Sequence, residues 1–117
     1  MVGMQTTPTP LPGLPAPIAG YFEHQTTSPA AVARCFTDDA LVVDERQAHR
    51  GRAAIEVWNA ATSSTYKLST ELLAAEVDGP RTTVRAKVTG SFPGSPIELR
   101  FRFTLTEGLI TRLEIAP

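Results

Sequence analysis

From Ile97 to Leu105 apolar and polar side chains alternate without a break: Ile97, Leu99, Phe101, Phe103 and Leu105 against Glu98, Arg100, Arg102 and Thr104. A period of two marks a strand with one buried face and one wet face. Such a strand needs pairing neighbours and a layer to cover its apolar side. The neighbours are present. Thr82 to Phe92 alternates in the same way, with Val84, Ala86 and Val88 on one face and Thr83, Arg85, Lys87 and Thr89 on the other. Tyr66 to Val77 is strand-like, and Leu109 to Ile115 follows the tight Glu107-Gly108 turn. Asp78-Gly79-Pro80 and Pro93-Gly94-Ser95-Pro96 supply the other two turns. The second half of the chain therefore reads as a meander of four long strands.

The covering layer comes from the first half. Proline suits a first helical turn, so a helix is predicted to start near Pro15 or Pro17, with Ile18, Tyr21 and Phe22 on one face. Ser28 is a good N-cap with Pro29 behind it, and Val32, Cys35 and Phe36 repeat the helical spacing until Thr37-Asp38-Asp39 ends it. Ala40 to Val43 is a short β-branched strand, and Glu45 to Gly51 a polar connection. A third helix is predicted over about Arg52 to Ser64, with Ala54, Val57, Trp58 and Ala61 on its apolar face and Ile55 beside it. The expectation is an α+β domain, three N-terminal helices packed against a curved antiparallel sheet. It spans residues 13–117, behind a flexible Pro/Thr-rich tail at 1–12.

Composition excludes several classes. At 117 residues the chain is one domain, long enough for a core without staples. Eleven basic against twelve acidic side chains lack the basic surplus that nucleic-acid binding needs. The single cysteine, Cys35, permits no intrachain disulfide and lies on a helix face as packing. No apolar run is long enough to span a membrane, and the N-terminus lacks the basic start and apolar core of a secretory leader. The expected address is the cytoplasm. No glycine-rich phosphate loop occurs. The only histidines, His24 and His49, lack partners at metal-ligand spacing, so neither cofactor nor metal is expected.

The block Phe36-Thr37-Asp38-Asp39-Ala40-Leu41-Val42-Val43-Asp44, followed by Gly51-Arg52-Ala53-Ala54-Ile55 and Trp58, resembles the NTF2-like superfamily, in particular its SnoaL-like and ketosteroid-isomerase-like branch. The element order agrees from Pro15 to Pro117. The resemblance implies a cone, a bent sheet wrapped round helices with an apolar cavity at the open end. Phe22, Trp58, Phe92, Phe101 and Phe103 are the expected walls. Function stays open, because this fold hosts isomerases, cyclases, dehydratases and non-catalytic binders.

Within that frame Asp44 matches the position of the branch's general base. A carboxylate at the end of a buried strand is costly unless bonded or solvated, and that environment suits proton abstraction. Tyr21 matches the phenolic donor that would hydrogen-bond a carbonyl oxygen gaining charge. The bland alternatives are a loop-capping Asp44 and a tyrosine whose hydroxyl points to solvent. Isomerases of the branch add a protonated acid beside the tyrosine, and the matching position here falls on or near Phe101. An epoxide-hydrolase reading needs an inward arginine, whereas Arg100 and Arg102 share the outward parity of Glu98. Two readings stand side by side. One is a cofactor-independent isomerase or cyclase-type enzyme acting on an apolar carbonyl compound. The other is a non-catalytic binder of a hydrophobic small molecule, or a dimeric interaction module. The outward face, with Arg85, Lys87, Glu98, Arg100, Arg102, Arg112 and Glu114, is the expected homodimer interface.

Overall fold

Residues 13–117 are described in a computed structural model of the chain. The predicted tail at 1–12 lies outside the described residues. Helix α1 (Ala16–His24) begins behind Pro15 with a second proline in its first turn, and it buries Ile18 and Tyr21. Helix α2 (Pro29–Arg34) is capped by Ser28, whose Oγ accepts from Ala31 N at 3.2 Å. Strand β1 (Phe36–Asp44) turns into the short β2 (Gln47–Arg50), and α3 (Arg52–Tyr66) follows. Strands β3 (Ser69–Asp78), β4 (Arg81–Thr89), β5 (Ile97–Thr106) and β6 (Leu109–Ala116) complete the chain. No helix among the described residues is long and apolar enough to cross a membrane.

All six strands form one sheet in the order β2-β1-β6-β5-β4-β3. Register shifts interrupt the ladders at Phe36/Leu41, Leu72/Ala74 and Thr104/Leu105. An extra residue on one strand bends it and increases its twist, which is how a flat ladder curves round a helical layer. On the concave side Thr82, Val84, Ala86 and Val88 of β4 and Phe101 and Phe103 of β5 are buried, as the alternation predicts. They pack against Ile18, Tyr21, Val32 and Ile55 from the helices.

Four expectations need correction. The sheet is mixed, not wholly antiparallel, because β1 runs parallel to β6. The helices do not form one N-terminal layer of three: α2 has only six residues, and α3 comes after β1 and β2. Phe36 starts β1 and does not end α2. Ile110 N donates to the Cys35 carbonyl at 2.9 Å, and Phe36 pairs with Ile110, so long-range pairing overrides the local helical spacing. Finally, α3 buries Ile55, Trp58 and Asn59 and leaves Val57 69% exposed. Asn59 and Ser63 find acceptors inside, and that rotates the helix away from its most apolar stripe.

The start of α3 is fixed from the sequence upward. Gly51, at φ 90°, takes a backbone conformation that a side chain would resist. Arg52 reaches back, donating from Nε to the Phe36 carbonyl at 2.9 Å and pairing with Asp38 at 2.8 Å. Both groups of the pair are substantially exposed, so its role is placement more than stability.

Candidate functional site

The helical layer does not cover the whole concave face. Between the C-terminal ends of α1 and α3, the end of β1 and the near half of β4 and β5 lies a cavity of about 370 Å³. That volume lies within the range of small-molecule sites. Its walls are mainly apolar: Val88, Ile97, Leu99 and Phe101 from the sheet, Trp58 and Tyr66 from α3, and Phe92 from the loop after β4. Tyr66 and Phe92 meet edge to face at 5.8 Å and close one side.

Asp44 enters this space because β1 ends there. Its carboxylate is half-buried, and Oδ2 accepts from the Trp58 indole Nε1 at 3.0 Å, leaving Oδ1 free of that bond. The other side of Trp58 meets the half-buried His49 ring of β2 at 5.9 Å, so the indole is held from two directions. Immediately after Asp44, Glu45 and Arg46 form the β1–β2 turn with φ 52° and φ 64°. Two consecutive positive φ values suit Asn-Gly far better than Glu-Arg. The turn also brings Glu45 into the cavity lining.

Tyr21 is 1% exposed and lines the cavity from α1. Burial pushes its phenol well above the ordinary tyrosine range, the Asp44 carboxylate pushes the same way, and the Gln25 side chain works against both. The phenol therefore stays protonated at any physiological pH and can act only as a donor or neutral acceptor. Its ring is wedged among Phe22, Phe36 and Phe103 at 5.0, 6.2 and 5.6 Å. One turn further on, Gln25 ties three elements together. Its carbonyl accepts from Asn59 Nδ2 at 3.1 Å and Ser63 Oγ at 2.7 Å, and its Oε1 accepts from Thr70 Oγ1 at 2.9 Å.

The structure thus brings Asp44, Tyr21, Trp58, Phe92 and Phe101 to one cavity. Phe22 and Phe103, expected as walls, stand behind it. Phe103 lies two residues beyond Phe101 along β5, a step of ~7 Å, and the Tyr21 ring intervenes. Phe22 sits one position round the helix and packs on Phe101 and Phe103 at 5.2 and 5.8 Å. No acid stands beside Tyr21 on β5, where Phe101 is the inward residue. Arg100 and Arg102 are exposed on the far face. Cys35 packs under Ala31, and burial raises its thiol above the usual range, so it is no ready nucleophile. Among the described residues no group of three His, Cys, Asp or Glu side chains gathers to hold a metal. Glu45, Gln25 and Asn59 are cavity residues that the sequence reading did not single out. Gln25 alone left a trace, a polar residue four positions after Tyr21 on an otherwise apolar helical face.

Comparison with known proteins agrees with this architecture. The family profile described as a SnoaL-like domain matches residues 19–113. A protein from Sinorhizobium meliloti, given a provisional polyketide-cyclase assignment, is 40% identical, with a TM-score of 0.85 over 88% of this chain and 95% of that one. A protein of ketosteroid-isomerase-like fold from Catenulispora acidiphila, solved with trimethylamine, is 22% identical, with a TM-score of 0.77 over 88% and 85%. SalBIII, an epoxide hydrolase/cyclase-like enzyme of pyran ring formation in salinomycin, is 22% identical, with a TM-score of 0.68 over 86% of each chain. No curated protein matches the chain.

Proposed function

The chain belongs to the SnoaL-like domain family, and from that membership and the cavity chemistry we propose that it is an isomerase- or cyclase-type enzyme. Its substrate is an apolar carbonyl compound, and the reaction needs no group beyond the chain's own side chains. The observation that carries the reading is the placement of an oriented carboxylate and a buried phenol in one largely apolar cavity. Asp44 takes a proton from the carbon next to the carbonyl. The Trp58 N–H occupies one carboxylate oxygen and fixes the plane of the group, so the other oxygen receives the proton. Tyr21 donates to the carbonyl oxygen as it becomes an enolate. Asp44 then returns the proton to another carbon, or the enolate carbon closes a ring on a second carbonyl, whose oxygen becomes a hydroxyl by taking the proton back from Asp44. A positioned base contributes roughly 10²–10⁴-fold, and an oxyanion donor in a dry site a further 10²–10³-fold. The provisional cyclase assignment of the Sinorhizobium meliloti protein supports the same chemistry.

A second reading rests on one observation. Phe101 stands where a second acid would complete an isomerase oxyanion site, which favours a binder of apolar molecules over an enzyme. Solvent exchange separates the two. In deuterated buffer the protein should exchange the α-protons of 2-tetralone above the buffer rate. Asp44→Asn keeps the volume and loses the base; it should remove at least about a hundredfold of the excess while affinity stays within about tenfold. An Asp44→Asn rate equal to wild type removes the base assignment. Binding with no exchange by wild type leaves the binder. In both readings we propose that the protein works as a homodimer joined through the outward sheet face.

A further inference from the structure

Charged side chains of one sign only line the cavity. Asp44 and Glu45 both line it, and none of its lining side chains is a lysine, arginine or histidine. Basic groups stand outside the lining: Arg46 is next in the turn, His49 meets the Trp58 ring, and His24 and Lys67 adjoin the lining residues Gln25, Tyr66 and Leu68 in sequence. Asn59, 2% exposed, spends its amide nitrogen on the Gln25 carbonyl. Ser63 spends its hydroxyl proton on the same carbonyl, while Gln25 commits its Oε1 to Thr70 and keeps its amide nitrogen as a donor beside the Tyr21 phenol.

The backbone adds to this. The helical part of the wall is built from the last turn of α1 and the second half of α3, towards the negative ends of their dipoles, where His24 and the Lys67 cap are the basic groups. Five aromatic rings, of Tyr21, Trp58, Tyr66, Phe92 and Phe101, offer π faces or edges to whatever enters. Such faces attract cations, and low-dielectric walls focus the field of the two carboxylates into the space.

We infer that the cavity takes a ligand whose apolar body carries a protonated amine, with Glu45 at the mouth as the residue that selects for it. The inference rests on the reading of this cavity as a small-molecule site and names its substrate class. The amine sits towards the β1–β2 turn, and the carbonyl end lies deeper, against Tyr21. Asp44, between them, stays available as the base. Carboxylate-bearing analogues of the same skeleton are repelled.

Three probes of one skeleton test this by calorimetry near neutral pH in low salt: 3-phenylpropylamine, 3-phenylpropanol and 3-phenylpropanoate. The amine should bind about tenfold or more tightly than the alcohol, and the propanoate most weakly. The preference should shrink as salt screens the carboxylates. Glu45→Gln should cut the amine-to-alcohol ratio severalfold, and Glu45→Lys should bring the propanoate ahead of the amine. Equal affinities for amine and alcohol, or a tightest-binding propanoate, would overturn the inference and leave the small-molecule reading standing. If none of the three binds at low millimolar concentration, the small-molecule reading falls first and this inference with it. An amine preference in a protein that exchanges no protons would keep the inference and discard the enzyme.

Discussion

Tyr21 carries a hydroxyl where a phenylalanine would pack equally well among Phe22, Phe36 and Phe103. The phenol has a measurable consequence. Its raised ionisation keeps it neutral in the folded protein, whereas in the unfolded chain it ionises at about pH 10. Below that pH both states hold the proton and the contribution to stability is complete. Above it the unfolded chain loses a proton that the native state keeps, so stability falls as pH rises, by up to ~1.4 kcal/mol per pH unit. Urea unfolding from neutral pH to pH above 10 should show this decline in wild type and a shallower one in Tyr21→Phe. Identical slopes would mean that the hydroxyl reaches solvent. At this scale the sequence is legible where one residue's identity carries the role. Asp44 ends an apolar strand, Tyr21 lies on the readable inward face of α1, and Trp58 turns inward although the rest of the apolar stripe read for α3 does not. It is illegible where the role depends on a distant partner. Gln25 acquires its meaning from Asn59, Ser63 and Thr70, and Glu45 from a turn built without the Asn or Gly that normally announces it.

Among the elements, the join between α3 and the β4–β5 connection decides the shape of the cavity wall. A Cβ at Gly90 would lie 2.5 Å from the Tyr66 carbonyl oxygen and 3.0 Å from the Phe92 ring. That carbonyl also accepts from Ser91 N at 2.7 Å, so the backbone has no room to retreat. Gly90→Ala must push the end of α3 or the Phe92 ring aside. Overpacking of this kind costs roughly 1–3 kcal/mol, or about 5–15 °C in Tm for a domain near this size. Thermal unfolding by circular dichroism would reveal it, and an unchanged Tm would show that the wall gives freely. Legibility at this scale followed the strength of local pattern. β4 and β5 alternate so regularly that their buried faces could be read residue by residue. β2 has no apolar alternation, since its pairing with β1 lies at a sheet edge where only His49 is half-buried. The parallel pairing of β1 with β6 joins residues some seventy positions apart, and no local signal encodes it.

Across the whole molecule the formal net charge is only −1, and the sheet's outer face differs from the cavity in how its charges are mixed. The cavity lining holds Asp44 and Glu45 without a basic residue, while the convex face of the sheet carries both signs, Arg85, Lys87, Arg100, Arg102 and Arg112 beside Glu71, Glu76, Glu98 and Glu114. Within one chain that convex face is only partly balanced. Glu98 pairs with Arg85 at 2.8 Å and Glu114 with Arg112 at 2.8 Å, yet Arg85 and Arg100 stand directly opposite each other across β4 and β5. Like charges placed so are unfavourable in an isolated sheet. A two-fold contact would relieve them, because each face brings glutamates as well as arginines and residue i of one copy can meet residue j of the other. The proposed homodimer therefore makes opposite demands on Arg100 in its two settings. In a single chain Arg100→Glu replaces a repulsion with an attraction to Arg85, so the fold should not lose stability. In the dimer the same change places a new carboxylate against the partner's glutamates, and association should weaken by about tenfold or more. Sedimentation velocity over a concentration series, read beside the Tm of the variant, distinguishes the two effects. A wild-type protein that sediments as a monomer at high micromolar concentration would end the dimer proposal, and the exposed arginines would then be a solvated face whose repulsion is screened by water and salt.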